Sequence, residues 1–374
     1  MQRFSIFILF ILFLSSCVND KTAQHNEVSS NEFAGGFSIG ENSGIVKLSV
    51  FNPWEKAQNV KVEYFLVPKE ISVPDSLQNK NIIRTPIQRI ICMSTSHLGF
   101  IEVLSENNSV VGISGANYVS NPQILQYVES GKVVDVGYGQ NLNYEMILNQ
   151  HPDVVMLYGV GSEVTTHVKK LEELGIPVIM NAEYLEETPL GKVEWIKFVG
   201  ALYQKENEAQ QFFTQIKEDY LSLKEKVKDK QNKPKVLVGS PYKDSWWIPG
   251  GDSYLANMIK DAGGDYIGKD NDSHESYVIS FENALTYGNE VDVWINMGLL
   301  SSRKDIIATD QRFKNFGVLK SGRLFNNNNK MSENGGNDFW ESGTVYPNLI
   351  LRDLISVFYP GTINEDLVYY KEVE

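Results

Sequence analysis

Residues 144–159 read YEMILNQHPDVVMLYG and residues 281–298 read FENALTYGNEVDVWINMG, two copies of one unit about 140 residues apart. Each copy carries an aromatic residue, a Glu, a short helix-like stretch, a polar turn, Asp-Val, an apolar strand and a closing Gly. Repetition at this distance implies a chain built as two similar lobes. It also sets one carboxylate, Glu145 and Glu282, at the same position of each lobe. Two lobes with matched acids suit a protein that holds a ligand between them and docks on a two-fold symmetric partner.

The chain has 374 residues, room for two or three domains. Its formal net charge of −13 argues against nucleic-acid binding, which needs clustered Lys and Arg. The same balance disfavours a strongly anionic ligand unless a local basic patch overrides it. At the N-terminus Arg3 is followed by the apolar run FSIFILFILFL at 4–14, too short to span a bilayer and suited to a signal-peptide core. The run ends in Leu14-Ser15-Ser16-Cys17, which resembles the bacterial lipobox. Cys17 is then expected to carry lipid and to tether the protein to a membrane without a spanning helix. The other cysteine, Cys92, lies in the apolar run IICM. One mature thiol cannot form an internal disulfide, so Cys92 is expected to be a small buried hydrophobe.

Residues 18–32 are polar and aperiodic, a flexible tether. Alternation over 33–67 predicts a small antiparallel β unit, with 68–88 extended and broken by Pro. From Arg89, wholly apolar strands (IICMS, VVGIS, VVDVG, VVMLYG, IPVIMN) alternate with helical stretches such as VTTHVKKLEELG. That pattern means βα units and mostly parallel sheets covered on both faces. Residues 191–229 carry apolar residues at helical spacing, with a long helix of roughly 35 Å from about Lys205 as a rigid connector. KVLVGSP then echoes RIICMST and opens a second α/β lobe, closed by a helix over 345–358. The expected organisation is a leader at 1–17, a tether at 18–32 and a β-rich extension at 33–85. An N-terminal lobe at 86–190, a helical connector at 191–229 and a C-terminal lobe at 230–374 follow. The fold class is α/β, two similar lobes with mostly parallel sheets joined by one long helix.

From about Arg84 to Gly361 the chain resembles the substrate-binding lipoproteins of iron-chelate and vitamin B12 ABC importers, the helical-backbone periplasmic binding proteins. RIICMSTSH, VVGISG, NYEMILNQHPDVVMLYG, KKLEELGIPVIM, GGDSYLANMIKDAGGDYI and ISFENALTYGNEVDVWINMG carry the resemblance together with the connector helix. Residues 18–83 fall outside the common family core. The resemblance implies a monomer with a shallow cleft between its lobes and limited hinge motion. It implies an iron chelate, cobalamin or haem as ligand, in that order with a ferric siderophore first. It implies an ABC permease dimer as partner and a lipid-anchored place in the cell envelope. By motif position, Glu145 and Glu282 would meet Arg residues of the permease. Independently, Asn143 and Ser280 are good N-caps that put each Glu in a first helical turn, where a carboxylate is also stabilised with no partner at all.

Open α/β sheets bind ligands at the carboxyl ends of their strands. That selects Ser96 and His97 after the first strand, then Tyr118, Tyr138 and Tyr158. In the second lobe it selects Trp246, Trp247, Trp340 and, more weakly, Tyr277. Aromatic walls suit a flat or bulky chelate, although each ring alone could equally be core. His97 could ligate haem iron opposite Tyr158, or serve as an ordinary capping residue. No bare metal site assembles from the remaining histidines, and no cofactor is expected. The chain is expected not to be an enzyme. GGDYIGKD places Asp270 where a phosphate loop needs Ser or Thr, GYGQNL and GVGSEV lack a third Gly, and no G-x-S-x-G occurs. An exported α/β hydrolase is the alternative of another class.

Overall fold

The computed structural model describes residues 31–242, 245–298 and 300–374. The leader, the acylation candidate Cys17 and tether residues 18–30 lie outside the described residues.

The chain opens with a four-stranded sheet of β1 (Phe37–Asn42), β2 (Ile45–Phe51), β3 (Lys61–Pro68) and β4 (Asn81–Thr85), in that order. Ser43 and Gly44, with φ of 54° and 77°, make the two-residue turn whose twist fits a hairpin. The antiparallel unit expected over 33–67 forms as β1-β2-β3, and the following segment needs one correction. Residues 81–85 are not merely extended but pair with β3 in parallel, because the β-branched Ile83 buries against the sheet's core.

The first lobe follows as β5 (Ile90–Cys92), α1 (Ser96–Val103), β6 (Val110–Ile113), α2 (Pro122–Glu129), β7 (Val134–Asp135), α3 (Tyr144–Asn149), β8 (Val154–Leu157), α4 (Val164–Glu173) and β9 (Val178–Met180). Its sheet is wholly parallel, in the order β7-β6-β5-β8-β9. Every residue of β5, β6, β8 and β9 is buried, as a sheet covered on both faces requires. Cys92 lies at 0% exposure in this sheet with its thiol reduced, and burial raises its pKa.

The connector comprises α5 (Pro189–Glu194), α6 (Ile196–Leu202) and α7 (Glu206–Glu225), the last being the long helix expected from about Lys205. The chain breaks before α7 at Gln204, whose φ is +57°. The 20 residues of α7 span about 30 Å and pack against α6 and the closing helix.

The second lobe comprises β10 (Lys235–Val238), β11 (Pro241–Tyr242), β12 (Ser245–Ile248), α8 (Tyr254–Asp261), β13 (Asp265–Tyr266), β14 (Tyr277–Ser280), α9 (Phe281–Gly288), β15 (Val293–Ile295), α10 (Arg303–Thr309), α11 (Gly317–Ser321), β16 (Arg323–Asn326), α12 (Pro347–Phe358) and β17 (Lys371–Glu372). Its main sheet runs β13-β10-β15-β16-β17, parallel except for β17. The order β6-β5-β8-β9 in one lobe thus matches β13-β10-β15-β16 in the other. A separate antiparallel sheet, β11-β12-β14, sits beside it. One buried apolar cluster runs from Phe37 through Trp195 and Phe213 to Val236 and Leu354, so the extension, connector and both lobes share a core. Among the described residues no helix is long and apolar enough to cross a membrane.

Candidate functional site

A cleft of about 390 Å³ opens between the lobes, lined by Thr95, Tyr118, Asn296, Gly298, Asn327, Met331, Gly335, Asn337 and Trp340. Thr95 follows β5 and Tyr118 follows β6, while Asn296 and Gly298 follow β15 and Asn327 follows β16. The cleft therefore lies at the carboxyl ends of both parallel sheets, where backbone groups leave their ladders and loops are free to vary. Its apolar surface is aromatic and sulfur: Tyr118, Trp340 and Met331 are all exposed. Its polar surface is mostly amide, and among the described residues no charged side chain lines it.

Local bonding fixes the amide floor. Asn326, the last residue of β16, donates to the carbonyls of Gly298 and Leu300 at 2.7 and 3.0 Å. Asn337 donates to the Asn327 carbonyl at 3.1 Å and accepts from the Phe339 N–H. Asn296 and Gly298 take φ of +55° and +67°, the left-handed turn that releases the chain from β15. The buried Oδ1 of Asn296 has no hydrogen-bond partner, which leaves an acceptor at the floor.

The strap that carries Met331 to Trp340 also ties the lobes together. Glu341, 1% exposed, accepts the Ser120 and Asn121 N–H groups of the first lobe at 2.7 and 2.8 Å. Burial, with the neighbouring Asp338 and Glu102 charges behind it, pushes its carboxyl up to about 8. Gly336 packs so closely on the Tyr118 and Val119 carbonyls that a side chain would collide with them.

Of the nine expected cleft residues only Tyr118 and Trp340 line the 390 Å³ cleft, and two of the others, Trp246 and His97, are buried. Trp246 and Trp247 sit on β12 rather than on a loop, and a strand sends neighbours to opposite faces. Trp246 is enclosed by Trp294, Phe281, Phe313 and Phe316 and donates to the Val238 carbonyl at 2.9 Å, while Trp247 is exposed. His97 is also enclosed, with neither ring nitrogen hydrogen-bonded, and burial drops its pKa to about 3, so the ring is neutral. Its ring meets Tyr158 edge-on at 6.4 Å. Ser96 is half-buried and bonded to the Ser94 hydroxyl at 2.8 Å. Tyr138 and Tyr158 are exposed on first-lobe loops and Tyr277 is half-buried on β14, none of them among the lining residues of the 390 Å³ cleft. Of the lining residues, Thr95, Asn296, Gly298, Asn327, Met331, Gly335 and Asn337 were not expected from the sequence. The one signal for them was the Asn326–Asn329 run, a polar loop lying directly after a strand.

Glu145 and Glu282 are both exposed, each in the first turn of its helix, α3 and α9. Their caps form as the residue types require: Asn143 Oδ1 accepts the Met146 N–H at 2.9 Å and Ser280 Oγ the Asn283 N–H at 3.1 Å. Each helix feeds into a core strand, β8 or β15, so each acid lies at the cleft end of its lobe. Arg312 stands 3.6 Å from Glu282, stacked 3.8 Å above the Phe281 ring and forked onto Asp310.

A hollow of about 350 Å³ at the amino ends of the second-lobe strands is lined by Lys233, Asp292, Arg323 and Phe358. Asp292 there accepts the Lys235 N–H and Arg323 donates to the Val357 carbonyl, so its polar groups are occupied with the fold. Among the described residues no group of three or more His, Cys, Asp or Glu side chains is placed to hold a metal ion.

A family profile described as periplasmic binding protein matches residues 90–329. A lipoprotein of Methanocaldococcus jannaschii is 30% identical over 315 residues, covering 80% of this chain and 72% of the relative. Among solved structures, a periplasmic heme-binding protein of Pseudomonas aeruginosa superposes with a TM-score of 0.59 at 17% identity, over 77% of this chain and 98% of that one. A possible iron-binding periplasmic solute-binding protein of Staphylococcus epidermidis gives 0.55 at 18% identity, over 74% and 100%. At these identities the structural likeness carries the fold.

Proposed function

The chain belongs to the periplasmic binding protein family, and on that premise we propose that it is the extracytoplasmic receptor of an ABC importer, anchored by lipid on Cys17, that captures a metal chelate in its interlobe cleft. The observation that carries this reading is the lining of the cleft. Tyr118, Trp340 and Met331 offer apolar contact at low entropy cost, and the amides of Asn327 and Asn337 offer hydrogen bonds that are not tied to one charge. Such a wall suits a bulky ligand with an organic shell, a ferric siderophore or cobalamin, rather than a bare ion. A tris-anionic chelate would find no Arg or Lys among these lining side chains. The haem alternative rests on Tyr158 alone among the two residues expected to ligate it, because His97 is enclosed. Glu145 and Glu282 supply the two contacts for the permease.

Titrating residues 18–374 with cyanocobalamin, haemin and a panel of ferric siderophores, followed by tryptophan fluorescence, tests the reading. One-to-one quenching by a siderophore or by cyanocobalamin, reduced at least tenfold by Trp340→Ala, is the expected result. Quenching by haemin alone would shift the ligand to haem, and quenching by none would remove the chelate assignment.

A further inference from the structure

The β-rich extension lies outside the matched family region of 90–329, yet it stands at the ligand side of the fold. Tyr64 on β3 accepts the N–H of Met180, the last residue of β9, at 3.0 Å. The β2–β3 connection brings Trp54 into a backbone bridge with Gly159, two residues beyond β8. Tyr184 donates to the same Gly159 carbonyl at 2.5 Å, next to Glu55. These contacts all fall at the carboxyl ends of first-lobe strands. The same connection also faces the second lobe: Lys56 Nζ is 3.9 Å from Glu275 Oε2. The extension is itself firmly seated. The Glu194 carboxylate accepts the N–H groups of Glu32, Phe33 and Ala34, the Glu186 carboxylate those of Gly35 and Gly36, and Phe37 packs on Trp195 at 4.7 Å.

We propose that residues 52–60 form a third wall of the ligand groove. They close its end beside β8 and β9, span it to the second lobe, and so limit the size of ligand that can extend from the Tyr118–Trp340 cleft toward β8 and β9. Lobe bridging follows from the geometry alone; the size-limiting role rests on the chelate reading above. An exposed pair at 3.9 Å contributes little stability. Its weight here is positional, since it marks where the wall meets the second lobe.

The test uses the full chain in detergent and two variants. Lys56→Glu sets two carboxylates face to face on an exposed surface and leaves the sheet intact. Trp54→Ala/Glu55→Ala/Lys56→Ala removes the wall's side chains while keeping β1–β4. Amide hydrogen exchange is followed over 157–161 and 273–276, and calorimetry is run with cyanocobalamin, haemin and ferrichrome. The triple variant is expected to speed exchange at least tenfold in both segments, and Lys56→Glu in 273–276. In the triple variant the affinity for whichever probe binds the wild type falls at least tenfold, while larger chelates excluded by the wild type become bound. Unchanged exchange in both variants overturns the wall. So does faster exchange with the affinity and size preference of the wild type. If no probe binds the wild type, the chelate reading fails, and exchange alone decides whether the bridge exists.

Discussion

Glu341 shows how one side chain can join two lobes at an electrostatic cost. Its carboxylate holds two first-lobe N–H groups, yet burial and the Asp338 and Glu102 charges raise its pKa from 4.5 to about 8. A carboxyl whose folded pKa lies above its unfolded value favours the folded state most at low pH. Its contribution is complete below about pH 4.5, declines as pH rises from there to 8, and is gone above it. Within that window one group changes stability by about 1.4 kcal/mol per pH unit. Urea denaturation of wild type and Glu341→Gln at pH 5, 6, 7, 8 and 9 should therefore give a steeper fall from pH 5 to 8 for the wild type. Parallel curves would mean that Glu341 titrates normally. Residue placement was only partly legible in the sequence. Aromatic type marked Tyr118 and Trp340 as cleft candidates, and they line it. Type could not separate Trp246 from Trp247, since their opposite fates depend on β12 being a strand, and the β11-β12-β14 sheet has no repeat partner to reveal it.

At the scale of elements the repeat has a physical cause visible in its Asp-Val pair. Asp153 precedes β8 and accepts the Gln88 and Arg89 N–H groups at 2.6 and 3.1 Å, while its own N–H donates to the Arg89 carbonyl. Asp292 does the same before β15, accepting the Lys235 N–H at 2.8 Å and donating to the Lys235 carbonyl at 3.0 Å. Each Asp thus latches its strand to the first strand of its lobe. This is why the two copies could be recognised from residues alone. The connector was legible in part: helical spacing separated a first segment around 195–202 from a long helix starting near Lys205, and the left-handed Gln204 marks that break, but the division of the first segment into α5 and α6 gave no sign. The extension's seat was not legible either, since Glu186 and Glu194 give no sign in sequence of the five N–H groups they receive from 32–36. Glu194 is fully buried, and Lys197 Nζ lies 2.6 Å from it. Glu194→Ala would strand that ammonium along with three N–H groups, at a cost of about 3–5 kcal/mol. Chemical denaturation should show this loss together with early proteolysis before residue 37. Replacing Lys197 as well, by Met, should recover part of it. A loss below about 1 kcal/mol would show that the clamp is incidental.

For the whole molecule, the shared core sets the range of motion, and under the docking proposal the two rim acids would set the address. Because one apolar cluster runs from the extension through α6 and α7 into both lobes, wide opening would expose buried Trp195, Phe213 and Leu354, so ligand exchange is expected to involve small rotations. Fixed lobes keep Glu145 and Glu282 at a nearly constant separation, a requirement for two-point docking on a permease dimer. The two acids are not equivalent. Arg312, itself forked onto Asp310, partly screens Glu282, whereas Glu145 has no cationic neighbour among the described residues. Glu145→Arg alone should therefore reduce uptake more than Glu282→Arg alone. If docking pairs these acids with Arg residues of a permease, as proposed, the double reversal would set like charges together at both points, a penalty of several kcal/mol. Uptake of labelled ligand into vesicles bearing the cognate permease should then vanish, while calorimetry shows ligand affinity within twofold of the wild type, since neither acid lines the cleft. Full uptake by the double variant would rule out docking through these acids. Lost uptake with lost affinity would place the defect in the cleft instead.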